Sequence, residues 1–176
     1  MSNNNYFFGL SIRYFIILLL SINALFIIYY VMSPITYYLS LLFLGLIGST
    51  QGFFLEKLIV FNGLSISLVD ACVAGAAYYL LLVLCLTTQM NSVKRLKAIF
   101  FSCGLFLVIN VFRITIFSLL AVNGSNYFGS LHLLTWYFLS VIIVVGVWLT
   151  TIRIFVIKGI PVWDDIKRLL KIIKKK

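Results

Sequence analysis

Five apolar runs follow one another along this chain, at residues 14–32, 37–55, 71–89, 98–120 and 131–156, each near the roughly 20 residues that a helix needs to cross a bilayer. A backbone in lipid has to satisfy its own hydrogen bonds, so these runs are expected to be helices. With 176 residues, 63% hydrophobic and only 10% charged, and a mean hydropathy of +1.14, an ordinary soluble domain is excluded. The expected fold class is an all-α polytopic membrane protein with about five transmembrane helices, a short outer β-hairpin and a C-terminal amphipathic cytoplasmic helix. A membrane domain takes residues 1–157 and a basic tail residues 158–176.

A net charge of +10 would direct a soluble protein to nucleic acid. Here the basic residues lie at span boundaries and in the tail, so no nucleic-acid partner is expected. Lys94, Arg95 and Lys97 lie between spans three and four, and a basic cluster runs from Lys158 to Lys176. Both regions are expected in the cytoplasm of a multi-pass plasma-membrane protein, which puts residues 71, 120 and 131 at the outer face. Five spans would then leave the N-terminus outside.

Ser33-Pro34-Ile35-Thr36 separates the first two runs, and a tight helical hairpin is the expectation there because proline cannot continue a helix normally. A kinked or re-entrant pair is the alternative. The first run has no small-residue cleavage site and is expected to be a retained anchor. Between spans two and three, Asn62-Gly63 is a type I′ turn signal, and Leu64, Ile66 and Leu68 alternate with Ser65 and Ser67. A hairpin is expected, with an irregular surface loop as its alternative. In the tail, Val162, Ile166, Leu169, Leu170 and Ile173 fall at helical spacing opposite basic residues, with Asp164 and Asp165 in the first turn. That pattern predicts an interfacial helix held against anionic membrane lipids.

Against this apolar background three side chains stand out. Arg113 lies within span four, where an ionisable group costs roughly 2.5–3.5 kcal/mol on insertion scales and asks for a function. It is too deep to reach the interface easily, and the only outer acids that could pair with it are Asp70 and Glu56. Asn110 is one turn earlier on the same face and could hold the guanidinium. Cys72 is expected at the N-terminal end of span three, where the helix dipole favours negative charge, and Gly75 and Ala76 leave room for a neighbouring helix. Cys85 and Cys103 read as small core residues. His132, the only histidine, starts span five at the level of Cys72. A thiolate nucleophile, a fixed cation and an imidazole make a set for acyl transfer from a peptide carbonyl. There is no CxxC, and no metal or other cofactor is called for.

Asp70-Ala71-Cys72-Val73-Ala74-Gly75, Asn110-Val111-Phe112-Arg113 and His132 resemble, in order and spacing, the motifs of the exosortase/archaeosortase family of membrane cysteine transpeptidases. That family carries a cysteine in an acidic-Ala-Cys-small-Gly context, then Asn-x-x-Arg, then a histidine. The similarity covers about residues 58 to 150. This chain shifts the glycine by one position, has no hydroxyl beside the cysteine, and lacks the extra N-terminal spans of larger members. The resemblance implies a substrate that is the C-terminal sorting signal of a secreted protein: a short motif, one transmembrane helix and a basic cluster. It also implies catalytic roles for Cys72, Arg113 and His132, supported by Asp70 and Asn110, and a lipid or glycan acceptor at the cell surface. The competing expectation is a non-catalytic transporter subunit or assembly protein in which Arg113 pairs with Asp70 to fix packing.

Overall fold

In the computed structural model the described residues are 3–124, 129, 133–163 and 165–167. Helix α1 (Asn3–Gly45) runs for 43 residues straight through Pro34. The hairpin expected at 33–36 is therefore not formed, and the first two apolar runs are one helix. A proline inside a helix costs about 3 kcal/mol through one lost hydrogen bond and a steric clash. Reversing the chain in an apolar environment would leave more backbone groups unpaired than that. The helix is also held on both sides of the proline, by Tyr29 packed on Gly75 before it and by the buried Tyr37 and Leu44 after it.

The remaining helices turn back and forth along α1. A single turn, α2 (Asp70–Val73), leads into α3 (Gly75–Thr87). Helix α4 (Ser92–Val122) returns, and a π-helical turn (Thr135–Leu139) leads into α5 (Ser140–Ile154). One core cluster joins Ile28, Tyr78, Leu81, Cys85, Ala98, Phe106, Val144, Val147 and Trp148 from all four long helices. Tyr78 meets Phe106 edge to face with ring centroids 4.8 Å apart. Three segments are long and apolar enough to cross a membrane: Leu25–Gly45 within α1, Asp70–Thr87 and Ser92–Val122. Phe8–Leu19 and α5 are shorter apolar helices.

At one end of this bundle sits a three-stranded antiparallel sheet, β1 (Thr50–Phe53), β2 (Leu58–Phe61) and β3 (Leu64–Ser67), in the order β1-β2-β3. The expected hairpin is β2–β3, with Phe61 opposite Leu64 and positive φ at both Asn62 (47°) and Gly63 (85°), as a type I′ turn requires. Strand β1 was expected to be the end of span two. Gly48-Ser49-Thr50-Gln51-Gly52 interrupts that run with polar and flexible residues, and the chain uses them to add a strand. Ile59 and Phe61 are buried with Tyr37, Leu44, Leu68 and Ile114 in a second cluster. Tyr37 donates its hydroxyl to the Leu58 carbonyl at 3.0 Å, tying α1 to the sheet.

The opposite end is closed by a buried ion pair. Arg13 Nη2 lies 3.2 Å from Asp165 Oδ1, and the same guanidinium donates to the Leu86 carbonyl at 3.3 Å. Gln89 donates to Asp165 at 2.9 Å, and Arg95 donates to the carbonyls of Cys85, Thr88 and Met90. This arrangement corrects two expectations. The start of α1 lies at the same end as the tail rather than at the opposite one, because α1 traverses the bundle once. Asp165, expected as a dipole partner in an interfacial helix, is instead a buried clamp, while Lys167 rests its ammonium 5.4 Å from the Trp163 ring. Asp164 and the rest of the expected tail helix, from residue 168 on, lie outside the described residues.

Removing one partner of a buried ion pair strands the other. We expect Arg13→Met to lower unfolding free energy in detergent by about 3 kcal/mol. The double variant Arg13→Met/Asp165→Asn should recover more than half of that loss, measured by chemical or thermal denaturation of the purified protein.

Candidate functional site

The chain enters the site through a local break. Residues 70–73 make one helical turn, Ala74 adopts a left-handed conformation (φ 58°, ψ 47°), and α3 starts afresh at Gly75. Left-handed backbone costs a residue with a Cβ roughly 1–2 kcal/mol, so this break is maintained by its surroundings. Gly75 is part of them: a Cβ there would lie 2.7 Å from the Tyr29 ring, so the close approach of α1 needs glycine. The expectation that small residues after Cys72 admit a neighbouring helix is met at Gly75. Cys72 stands at the N-terminal end of span three, as expected, but one helical turn ahead of α3, so the dipole of α3 begins three residues later.

The break turns backbone carbonyls of α2 towards α4, and the two polar residues of Asn110-Val111-Phe112-Arg113 meet them. Asn110 Nδ2 donates to the Cys72 carbonyl at 2.8 Å and more weakly to the Val73 carbonyl at 3.4 Å. Arg113 Nη2 donates to the same Cys72 carbonyl at 3.3 Å. The two motifs thus converge on one residue. Arg113 Nη1 donates to Ser140 Oγ at 3.1 Å, and Ser140 in turn donates to the Thr135 carbonyl at 3.0 Å, inside the π-helical turn. One guanidinium therefore links α2, α4 and the start of α5. Asn110 is 2% exposed, and its Oδ1 has no hydrogen-bond partner among the described residues. A buried amide oxygen left unsatisfied costs about 1–3 kcal/mol.

Asp70 does not join this group. It is exposed and bonds Lys57 Nζ at 2.7 Å across the connection between β1 and β2. Among the described residues, no carboxylate pairs with Arg113. The Arg113–Asp70 pair of the competing expectation is thus absent, because Asp70 turns outward to Lys57 while Arg113 bonds the Cys72 carbonyl. Glu56 is exposed in the β1–β2 connection. His132 lies outside the described residues. Cys85 is buried with its sulfur 3.8 Å from Ser102 Oγ, and Cys103 is half-buried in the same core, as small core residues. All three cysteines are free thiols.

Ser140 and Lys57 were not anticipated. Ser140 had a faint signal, a single hydroxyl opening the otherwise apolar segment that follows Leu139. Lys57 had none, because its pairing depends on a turn in which Lys57 itself adopts positive φ (52°).

A cavity of about 350 Å³ opens beside the thiol, lined by residues 64–68 of the sheet edge, by Cys72, and by Ile114, Phe117, Ser118 and Ala121 of α4. Cys72 lines it and is half-buried. The arrangement can present a thiol to an extended chain lying in this cavity, with a cation fixed next to it.

Two substitutions check the architecture. Ala74→Gly relieves the left-handed strain and should stabilise the protein by about 0.5–1 kcal/mol. Asn110→Ala leaves the Cys72 carbonyl with one donor fewer and should destabilise by about 1–3 kcal/mol; both are read from thermal unfolding in detergent. No protein-family model matches the chain, and neither a curated protein nor a solved structure shows significant similarity to it.

Proposed function

We propose that the chain is a membrane-embedded cysteine peptidase of the transpeptidase type, acting on the C-terminal sorting signals of secreted proteins. The observation that carries this reading is the convergence of Asn110 and Arg113 on Cys72. A cysteine and an arginine that the sequence separates by 41 residues meet at one point, beside a cavity open to a ligand. The left-handed backbone at residue 74 adds support: the resemblance to exosortases and archaeosortases places a glycine there, and that is the position whose conformation favours glycine.

In this reading the sheet end of the bundle faces the outside. The end with Arg13, Lys94, Arg95 and the basic tail faces the cytoplasm, following the positive-inside rule. The substrate helix docks laterally, which brings the peptide bond just outside the membrane to Cys72. The thiolate attacks the scissile carbonyl, and Arg113 stabilises the negative charge that develops on the carbonyl oxygen. His132, assigned from sequence alone, gives a proton to the leaving amine as the C–N bond breaks. The resulting thioester passes to an amine or hydroxyl of a lipid or glycan acceptor, or to water. The rival reading, a packing protein built on an Arg113–Asp70 pair, loses the pair it rests on, since Asp70 is held by Lys57.

The test is co-expression with epitope-tagged secreted proteins from the same genome that end in a short segment, one hydrophobic helix and a basic cluster. Cys72→Ala should abolish loss of the tail, and Arg113→Lys, which keeps charge without the planar fork, should slow it at least tenfold. Wild-type rates in either variant, with the protein folded and inserted, would remove the corresponding role. A membrane-impermeant maleimide should label Cys72 before the buried Cys85.

A further inference from the structure

Strand β3 is an edge strand: among the described residues, only β2 pairs with it. The hydrogen-bond phase of the sheet follows from two bonds at its margins. Leu68 N donates to the Lys57 carbonyl at 2.8 Å, and Asn62 N donates to the Ser49 carbonyl at 3.0 Å. With Leu58 opposite Ser67 and Phe53 opposite Leu58, antiparallel alternation turns the N–H and C=O of Leu64, Ile66 and Leu68 towards β2. The N–H and C=O of Ser65 and Ser67 therefore point away from the sheet, at its open edge.

The cavity beside Cys72 lies along this edge. Successive side chains of a strand alternate between faces, so one cavity touches five consecutive residues, 64 to 68, only if it opens on the strand's edge. Its other lining residues are Ile114, Phe117, Ser118 and Ala121 of α4, and Cys72. Among the described residues, no charged side chain lines it. An unpaired polar backbone edge in an uncharged groove matches an uncharged extended peptide, whose own backbone supplies the missing partners.

We infer that the substrate segment just before the scissile bond binds as a fourth strand on the open edge of β3, parallel to it, and is paired by the backbone of Ser65 and Ser67. The inference rests on the peptidase reading above. Direction follows from topology. Strand β3 runs from the Asn62-Gly63 turn, beyond the end of α1, towards Cys72, and a peptide that ends in a membrane helix has to run the same way. About four residues fill the strand, at roughly 3.3 Å each. They are uncharged, with alternate side chains set against Ile114 and Ala121. Backbone pairing makes this recognition tolerant of sequence, leaving selection to the alternate pockets.

The test uses the tagged secreted proteins and whichever of them the wild type processes. Ser67→Pro removes an outward N–H while leaving the ladder to β2 intact, which an edge strand accepts. Ser67→Ala keeps that N–H. Processing by Ser67→Pro at least about tenfold slower than by Ser67→Ala, at equal abundance and melting temperature, is the expected result. Equal rates in the two, with Cys72→Ala inert, would overturn strand addition and leave the peptidase standing. Wild-type processing by Cys72→Ala, or none of these proteins processed by the wild type, would remove the peptidase reading and this inference with it. If Ser67→Pro fails to accumulate, Ser65→Cys in a Cys72→Ala background replaces it, with single cysteines walked along the substrate segment. Disulfides at alternate positions uphold the strand; none, or equal yield at every position, refutes it.

Discussion

A single backbone carbonyl, that of Cys72, organises the middle of this protein. It accepts from Asn110 at 2.8 Å and from Arg113 at 3.3 Å, and it is available only because Ala74 breaks the helix two residues later. In a continuous helix that carbonyl would be occupied by the amide of residue 76. The break therefore converts an internal helix bond into a junction between helices. It also gives a half-buried guanidinium a neutral partner, with no carboxylate paired to it among the described residues, so that its positive charge is not cancelled. A cation left unneutralised in an apolar interior is costly to keep, and its electrostatic influence on nearby groups is correspondingly strong.

The junction also divides the molecule into two packing regions. Below it, α1, α3, α4 and α5 share one apolar core; above it, α1 and α4 extend beyond α3 and clasp the sheet. Helix α1 is about 65 Å long at 1.5 Å per residue, roughly twice the hydrocarbon thickness of a bilayer. Its length lets one element serve both regions, since Tyr29 packs at the junction and Tyr37 reaches the sheet. The thiol sits where the two clusters meet, which is where packing is least continuous and a cavity forms most readily.

Much of this plan was legible in the residues. Asn62-Gly63 determined its hairpin through local turn chemistry, and apolar runs located α3, α4 and α5 because periodicity and length are local properties. Asn110 and Arg113 were recognisable as polar residues on one face of an apolar helix. What was not legible depends on distant partners. Pro34 looks like a chain reversal in isolation and is carried through only because Gly75 and the sheet pack against α1 on either side. Asp70 looks like the natural mate of Arg113, yet a turn at Lys57 captures it. Arg13 and Asp165 carry no mutual signal at all, being 152 residues apart.

That last separation has a consequence for how the protein is made. Arg13 leaves the ribosome well before its buried partner, which lies 152 residues further along the chain. At about 5–20 residues per second, roughly 8–30 s pass before Asp165 exists. Throughout that interval Arg13 lacks the carboxylate it will pair with, so its final seat is taken only after α5 has been made. The clamp thus ties the early turns of α1 to the segment after α5: a chain cut between them leaves Arg13 without its carboxylate, even where Tyr29 and Tyr37 already hold the rest of α1.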